Sequence, residues 1–214
     1  GKAGFTPRPA TLKIGQYVVD DPDPIREGNG WADWRAVHPV MRSEFRRIRV
    51  YDVPVDASAA RRAEVERAAK REYMLAAGLG HPGVIAPQEI LITERGPALV
   101  FPDDGDATPL AEYLTKNAAT LDFRRRIELV RQIAEIVAYT HRNGVHHRGL
   151  TPAQVYVTGS GSKAPVVTIR DWQTGYQDTT ETASMTRQAL LAGATSLTDL
   201  GEIDSLVYLA PEAF

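Results

Sequence analysis

Residues 122–142 carry the strongest secondary-structure signal in the chain. Apolar side chains recur there at helical spacing with charged residues between them, which is the pattern of an amphipathic helix. These apolar positions are Ile127, Val130, Ile133, Ala134 and Val137. Asn143 and Gly144 follow the segment and indicate where the helix ends. We therefore expect a long helix at the centre of the second half of the chain.

The first half of the chain predicts mainly strands. The exception is a predicted helix at residues 58–79, with Ser58 as its N-cap and Gly80 as its end. Strands are expected at residues 12–19, 31–37, 45–53, 84–93 and 98–101. Strands around one helix, followed by a mainly helical part, predict an α+β fold in two lobes.

One predicted strand has an unusual charge pattern. Arg47 and Arg49 alternate with Ile48 and Val50. Alternation with a period of two is typical of a strand with one apolar face and one polar face that meets solvent. We therefore expect the two arginines to lie on the exposed face of a half-buried strand.

The composition is that of an ordinary globular chain. Of the 214 residues, 43% are hydrophobic and 24% are charged, and the formal net charge of −2 gives no sign of a nucleic-acid-binding surface. No cysteine is present, which excludes disulfides and thiolate metal sites and fits a cytoplasmic location. No apolar run reaches the roughly 20 residues that a membrane-spanning helix needs.

Short motifs along the chain resemble those of protein kinases. Residues 147–157 have the sequence HRGLTPAQVYV, which is similar to the kinase catalytic loop HRDLKPEN and the apolar strand after it. Residues 171–173 (DWQ) end a predicted strand where kinases carry DFG, and residues 210–212 (APE) match the end of an activation segment. Residues 71–72 and 79–82 resemble the end of kinase helix αC. By the order and spacing of these motifs, the chain resembles the protein-kinase superfamily.

The resemblance implies a bilobal, protein-kinase-like fold. Residues 1–11 are then a linker or chain end, residues 12–101 a β-rich N-lobe with helix αC, and residues 102–109 the hinge. Residues 110–214 are expected to form a partial, mainly helical C-lobe with the activation segment at 171–212. Because the sequence stops soon after that segment, we expect a truncated C-lobe, in either a fragment or a reduced domain.

A narrower resemblance concerns PglW-type proteins, which are large proteins of bacterial phage-defence systems of the BREX type. Residues 27–34 (EGNGWADW), 46–53 and 171–173 resemble the kinase-like segment of those proteins. This resemblance implies that the chain is one part of a larger bacterial protein. Its expected partners are other domains of that parent protein or a separate protein, with no nucleic acid and no membrane.

The catalytic loop departs from the kinase pattern. His147 and Arg148 match it, but Gly149 stands where kinases carry the aspartate that orients the attacking hydroxyl. Thr151 replaces the lysine that assists the transferred phosphate. The resemblance therefore implies a degenerate loop with no intact catalytic residue.

Two residues retain oxygen atoms where kinases hold magnesium. Asp171 keeps the metal-binding carboxylate of the DFG position, and Gln154 replaces the asparagine that binds a second ion. The side chain of glutamine is one methylene longer, so its ligation is expected to be poor. An alternative interpretation of Asp171 is a strand-end residue that hydrogen-bonds the local backbone.

The resemblance aligns Arg49 with the kinase lysine that binds phosphates. Arg49 would pair with Glu72 on helix αC, since a planar guanidinium suits a carboxylate, although it does not replace a lysine on phosphates. The alternative is a solvated arginine on an edge strand. Either way, a direct test is whether the two side chains lie within salt-bridge distance.

A short glycine-containing segment resembles the first turn of the kinase glycine-rich loop. Gly28 and Gly30 would present backbone N–H groups to phosphates. Asp33 stands at the third glycine position, where its negative charge would repel a triphosphate. A plain turn is the alternative interpretation. The tryptophans nearby and at position 172 are expected to belong to the core.

The predicted hinge retains backbone groups for an adenine base. Pro102 offers a carbonyl and Asp104 an N–H, with Phe101 as the gatekeeper before them. Arg47 and Tyr156, however, fall where kinases place small or aliphatic residues above and below the base. We expect these two side chains to fill the pocket.

Three hypotheses for function follow from the resemblance. The first is a pseudokinase, a regulatory or docking module with little or no phosphoryl transfer. The second is an active, atypical serine/threonine kinase that recruits another base, and the third is a nucleotide sensor. ATP and magnesium are the ligands that the resemblance implies, and weak or absent binding is expected for both.

Overall fold

The computed structural model describes residues 12–28, 30–41, 44–103, 105–159 and 163–177. Within them the chain has an α+β fold, with an antiparallel sheet followed by a mainly helical part, so the predicted fold class is confirmed at that level. The predicted linker at 1–11 and the motif at 210–212 lie outside the described residues, as does most of the predicted activation segment. Asp104 also lies outside them.

Seven antiparallel strands form the larger sheet. They are β1 (Lys13–Ile14), β2 (Tyr17–Val19), β3 (Arg26–Gly28), β4 (Trp31–Val37), β5 (Phe45–Tyr51), β6 (Glu89–Ile92) and β7 (Pro97–Pro102). Their spatial order is β1-β2-β4-β5-β7-β6, and β3 pairs with β4. The predicted first strand is in fact two strands, because Gly15 (φ +56°) allows a tight turn between them.

Strand β5 lies inside the sheet and is buried on both faces. Ile48 and Val50 are fully buried in an apolar cluster with residues such as Trp34. Arg47 and Arg49, on the opposite face, are only 2% and 0% exposed. The prediction of a half-exposed strand is therefore wrong: the alternation separates an apolar face from a buried ionic face, where acidic side chains bind the guanidinium groups.

Helix α1 (Ala59–Ala77) packs on this sheet. Ser58 is its N-cap, as predicted, and accepts a hydrogen bond from the Arg61 backbone N–H at 3.2 Å. The helix ends at Gly78 rather than at the predicted Gly80. Val65 and Ala69 pack against the sheet, and the spacing of seven residues from Val65 places Glu72 on the same face. A charged side chain is thereby directed into the protein.

The helical part contains α2 (Leu110–Lys116) and α3 (Phe123–Arg142). Asp122 caps α3 by accepting from the Arg125 backbone N–H at 2.8 Å. Two small antiparallel sheets complete this part: β8 (Thr108–Pro109), β10 (Val155–Thr158) and β11 (Val166–Ile169) form one, and β9 (Val145–His146) and β12 (Tyr176–Gln177) form the other. The helix predicted at residues 122–142 is confirmed as α3, but two of its apolar side chains, Ile127 and Val130, are exposed rather than buried.

Backbone hydrogen bonds join the segment after α1 to strand β11. Ile169 donates to Gly83 at 2.7 Å, and Ile85 donates to Ile169 at 3.1 Å. Arg170 then donates to Gln154 at 3.0 Å. These contacts fix the end of β11 beside the sheet and so position Asp171 close to β5 and α1.

Among the residues that the structure describes, no helix has both the length and the apolar character to cross a membrane.

Candidate functional site

Arg49 lies at the centre of a buried cluster of charged side chains. Its Nε and Nη2 donate to the two carboxylate oxygens of Asp33 at 2.8 and 3.0 Å. Nη2 also donates to Asp171 at 2.6 Å. Nη1 donates to Glu72 at 3.4 Å and to Gln173 at 3.2 Å. These five contacts match the five N–H donors of a guanidinium group.

Different elements bring these partners together. Asp33 on β4 lies directly opposite Arg49 on β5 in the strand register. Glu72 comes from the buried face of α1. Asp171 follows β11 and adopts a left-handed backbone conformation (φ 63°, ψ 61°) before a short 3₁₀ helix, Trp172–Thr174. Left-handed backbone is uncommon outside glycine and turns the chain sharply, which fits a residue that must face the sheet.

Both carboxylate oxygens of Asp171 are held by arginines. Arg49 Nη2 lies 2.6 Å from Oδ1, and Arg26 Nη2 lies 2.5 Å from Oδ2. The Asp171 side chain is 1% exposed. Burial opposes its ionisation, but the positive charges of Arg49 and Arg26 outweigh burial and hold the pKa of Asp171 far below its usual range. The carboxylate is therefore ionised and bound by protein cations.

Asp33 is likewise enclosed between arginines. In addition to Arg49, Arg47 Nη1 donates to Asp33 Oδ2 at 3.0 Å. Burial disfavours the charge, but Arg49 and Arg47 lower the pKa of Asp33 below its ordinary value. Asp33 was expected to repel a triphosphate through its negative charge, and in the structure two guanidinium groups neutralise that charge.

Glu72 completes the cluster. Its Oε1 lies 3.4 Å from Arg49 Nη1, which confirms the predicted ion pair and contradicts the alternative of a solvated Arg49 on an edge strand. The Tyr51 hydroxyl donates to the other oxygen. Burial raises the pKa of Glu72, against the opposing effect of Arg49. Burial and the neighbouring Glu72 charge also raise the pKa of Tyr51 well above its usual value.

The cluster is electrically balanced. Its three cations and three anions are Arg26, Arg47, Arg49, Asp33, Glu72 and Asp171. Burial alone would lower the pKa of Arg49, but the three surrounding carboxylates raise it well above its ordinary value. The three carboxylates, each paired with at least one arginine, therefore have little remaining attraction for an external cation.

The glycine turn is packed by an indole ring. Gly28 lies opposite Trp31 in the register of β3 and β4, and a Cβ at position 28 would lie 2.2 Å from the ring of Trp31. Gly30 has a φ of +76° and no atom within 4 Å of where its Cβ would be. The Trp31 ring also lies 3.9 Å beneath the Arg49 guanidinium. Glycine at position 28 therefore makes room for tryptophan, which belongs to the core as predicted.

The degenerate loop is fixed by local contacts. His147 is buried, its Nε2–H donates to the Arg170 carbonyl at 2.8 Å, and burial lowers its pKa, so the ring is a neutral structural group. Arg148 has a φ of 63°. A Cβ at Gly149 would lie 2.9 Å from Thr174 Oγ1, which donates to the His147 carbonyl at 2.9 Å. Position 149 therefore has little space for a side chain unless Thr174 moves.

Gln154 uses its amide oxygen within the same loop. Oε1 accepts from the backbone N–H of Thr151 at 3.0 Å and from its hydroxyl at 2.6 Å. The predicted ligation of magnesium by Gln154 would break both bonds. In the described part of the chain, no group of three or more His, Cys, Asp or Glu side chains is arranged to hold a metal ion.

A cleft of about 600 Å³ separates the sheet from the helical part. Arg47 lies along its upper wall with the guanidinium 4.0 Å from the Phe101 ring. Tyr156 forms the lower wall, with the Arg170 guanidinium 3.4 Å from its ring centre. The expectation that Arg47 and Tyr156 fill the cleft is wrong, because both side chains lie flat against neighbouring groups and leave it open. Of the predicted hinge residues, Pro102 ends β7, opposite Arg46.

Proteins with similar sequences are named kinases. The chain is 33% identical to probable kinase PglW of Streptomyces coelicolor, over 98% of the chain and 14% of that protein. It is 28% identical to serine/threonine-protein kinase PknJ of Mycobacterium bovis, over 66% of the chain and 21% of that protein. It is 30% identical to serine/threonine-protein kinase SSN3 of Phaeosphaeria nodorum, over 45% of the chain and 22% of that protein. No protein-family model matches the chain.

The alignment with the first of these kinases extends over nearly the whole chain, although the chain spans only 14–22% of the length of these curated relatives. The chain belongs to the protein-kinase-like superfamily. In this kinase-like domain, Arg49, Glu72 and Asp171 lie in one cluster, as their predicted alignment with the kinase lysine, αC glutamate and DFG aspartate requires. Their roles toward a nucleotide stay predictions.

Sequence reasoning missed other members of this kinase-like site. Arg26 was not among the predicted site residues, yet it binds Asp171 and the Tyr156 hydroxyl, the latter at 3.2 Å. One signal could have found it, since Asn-Gly after Gly28 predicts a two-residue hairpin that sets Arg26 opposite Asp33. Gln173 had no such signal, because its contact with Arg49 joins segments 124 residues apart.

Proposed function

We propose that this chain is a pseudokinase-like regulatory or docking domain of a larger protein, with little or no phosphoryl transfer. In the proposed arrangement the sheet and α1 form a kinase N-lobe, and the helical part forms a partial C-lobe. The observation that carries the proposal is the occupation of both Asp171 oxygens by Arg49 and Arg26.

The first argument concerns magnesium. Kinases bring the metal to the phosphates on the DFG aspartate, and magnesium takes oxygen ligands at about 2.0–2.1 Å. At Asp171 both oxygens already accept charge-assisted hydrogen bonds from guanidinium groups. Magnesium would have to displace at least one arginine, which would leave a buried cation without its partner. Such a rearrangement opposes metal binding.

The second argument concerns the phosphates. The kinase lysine is a flexible point charge that can reach the nucleotide, whereas Arg49 is fully buried and its donors are directed to protein oxygens. The glycine turn offers little help, because the Trp31 ring packs against Gly28. Neither of the usual phosphate-binding groups is free for a ligand.

The third argument concerns the catalytic base that would orient the attacking hydroxyl. Gly149 supplies no carboxylate to orient an attacking hydroxyl, and Thr174 restricts the space where one would lie. Loss of a positioned acid or base usually lowers a rate by about 10²–10⁴-fold. Together with the occupied Asp171, this supports a domain that acts through binding rather than through catalysis.

The similarity to a protein named PglW supports a narrower form of the proposal. In that form the domain belongs to a large bacterial phage-defence protein and docks against other domains of that protein or against a protein partner. The alternative function is an atypical ATP-dependent serine/threonine kinase. It is supported by the kinase names of the relatives and by an open cleft whose volume lies within the range of small-molecule sites.

A labelling experiment tests the proposal. The purified chain is incubated with radiolabelled ATP and magnesium, alone and with a generic protein substrate, beside an active serine/threonine kinase as positive control. We expect no more label than in the Asp171→Ala variant, which reports contaminating kinases. Strong labelling of the wild type that disappears in Asp171→Ala would establish the alternative function instead.

A further inference from the structure

Arg47 has buried donors that the fold does not use. The residue is 2% exposed, and only its Nη1 is bonded, to Asp33. Its Nε and Nη2 have no hydrogen-bond partner among the described residues. Buried polar groups without a partner are rare, because each one costs free energy, and a bound water or ion is one explanation for them. Arg47 also lines the cleft.

A second arginine lies directly beside it. Arg35 on β4 is opposite Arg47 in the strand register, and both side chains line the cleft. Like charges directly opposite each other destabilise a sheet. Arg35 is compensated by Asp103 at 3.1 Å and by Asp20 at 3.7 Å, whereas Arg47 has only Asp33, which it shares with Arg49. An anion between the two arginines would remove this repulsion.

The wall of the cleft formed by Tyr156 also carries a buried arginine. Arg170 is 5% exposed, lines the cleft and lies over the Tyr156 ring. The lining also carries four acidic side chains: Asp33 and Asp103, which bind Arg47 and Arg35, and Asp106 and Glu112. The lining therefore combines two buried arginines, Arg47 and Arg170, with acids that lie both beside the arginines and farther along the chain.

We infer that this cleft binds a small molecule through an oxyanion, a phosphate or carboxylate group, held by Arg47 without a metal ion. The oxyanion would lie where kinases bind an uncharged base, so the polarity of the site is the reverse of that for a nucleotide. A volume of about 600 Å³ suits a small molecule. The acidic side chains favour a ligand that also carries an amino group or several hydroxyls. This inference is independent of the absence of phosphoryl transfer.

The experiment is a titration of the purified chain with sodium phosphate, pyrophosphate or citrate in EDTA, at constant ionic strength set with sodium chloride. Binding is followed by melting temperature and by isothermal titration calorimetry. We expect a saturable rise in melting temperature in EDTA, because a ligand that binds only the folded state stabilises it. The probe that binds most tightly identifies the oxyanion as phosphate or carboxylate.

Two variants and one control locate the site. Arg47→Gln removes the donor group and should weaken binding at least about tenfold, since charge-assisted hydrogen bonds are strong. Ala153→Trp fills the cleft from an exposed position and leaves the buried cluster intact, so it should abolish binding even if Arg47→Gln does not fold. Arg131→Gln removes the same charge from the exposed face of α3 and should bind like the wild type.

Three results would overturn the inference. One is that no probe gives a saturable rise in melting temperature or a saturable binding heat beyond the effect of sodium chloride. The second is unchanged binding in Ala153→Trp. The third is a response that requires magnesium, which would indicate the usual nucleotide mode. None of these results depends on the labelling experiment, so failure here and failure of the proposed function can be told apart.

Discussion

Arg26 and Asp171 form a direct ion pair at 2.5 Å, although 145 residues separate them in the sequence. The Asp171 side chain is 1% exposed and that of Arg26 is 21% exposed, and of the two only Arg26 is among the residues that line the cleft. Arg26 therefore holds one oxygen of the carboxylate whose predicted alignment is with the metal-binding aspartate of kinases.

Magnesium and ATP should leave the folded chain almost unaffected. We expect a change of less than about 1 °C in melting temperature at millimolar ATP with magnesium, because stabilisation requires a ligand concentration well above the Kd. Differential scanning fluorimetry measures this, with Asp171→Ala as the matched control. A clear rise that disappears in the control would favour the nucleotide-sensor hypothesis.

Replacing Arg49 by the lysine of active kinases should destabilise the domain. An ammonium group has three donors on a single atom and cannot reach Asp33, Glu72 and Asp171 together. We expect Arg49→Lys to lower the free energy of unfolding by about 2 kcal/mol or more, since disrupted buried ion pairs cost about 3–5 kcal/mol. Urea unfolding measures it, and Arg131→Lys at an exposed pair serves as control and should keep the wild-type midpoint. Equal midpoints for the two variants would contradict a central role for Arg49.

The buried carboxylates predict a loss of stability in acid. The pKa values of Asp33 and Asp171 are lowered by folding, so their contribution is complete above the unfolded value of about 3.9 and is lost as the pH falls below it. The contribution of Glu72 to stability changes with pH in the opposite direction. Folding raises its pKa, so this contribution grows as the pH falls and the group becomes protonated. We expect the urea midpoint to fall as the pH is lowered below about 4.

Two variants separate these opposing contributions. Asp33→Asn removes one carboxyl group whose pKa is lowered by folding. The urea midpoint of this variant should therefore depend less on pH than that of the wild type. Glu72→Gln removes the group that gains stability in acid, so its midpoint should fall more steeply. Parallel curves for all three proteins would show that these groups are not ionised as the geometry indicates.

The packing of Trp31 on the glycine turn predicts a difference between two glycines. Gly28→Ala places a methyl group 2.2 Å from the indole ring and should destabilise the chain by about 1–3 kcal/mol, as overpacked sites do. Gly30→Asn is the control, because no atom lies within 4 Å of its Cβ position and asparagine tolerates left-handed backbone. Urea unfolding measures both variants. A larger loss of stability in Gly30→Asn than in Gly28→Ala would contradict this packing.

Local patterns predicted much of the fold. Ser58 and Asp122 begin their helices as expected, because capping depends on residues a few positions away. The end of α1 was misplaced by two residues, at Gly80 instead of Gly78, since either glycine could end a helix. The burial of Arg47 and Arg49 could not be predicted from β5 alone. It depends on acids that β4, α1 and the residue after β11 supply.

Only part of the candidate site was predicted from the sequence. Kinase-like motifs identified Arg49, Glu72 and Asp171, and the Arg49–Glu72 pair was confirmed. The same motifs gave no indication of Arg26, because its contact with Asp171 joins segments 145 residues apart, although the hairpin after Gly28 could have placed it opposite Asp33. Gln154 was expected to turn toward a metal, but its neighbour Thr151 offers two closer donors.

The close approach between position 149 and Thr174 bears on how such a domain could evolve. Thr174 Oγ1 lies 2.9 Å from where a Cβ would stand and is itself bonded to the His147 carbonyl. A mutation to aspartate at position 149 would therefore strain the loop before any benefit could appear, unless a smaller residue came first at position 174. The two changes depend on each other, as neighbouring substitutions commonly do. Gain of the kinase aspartate at position 149 would need a double mutant whose first step is harmful or useless, so selection would act against that change.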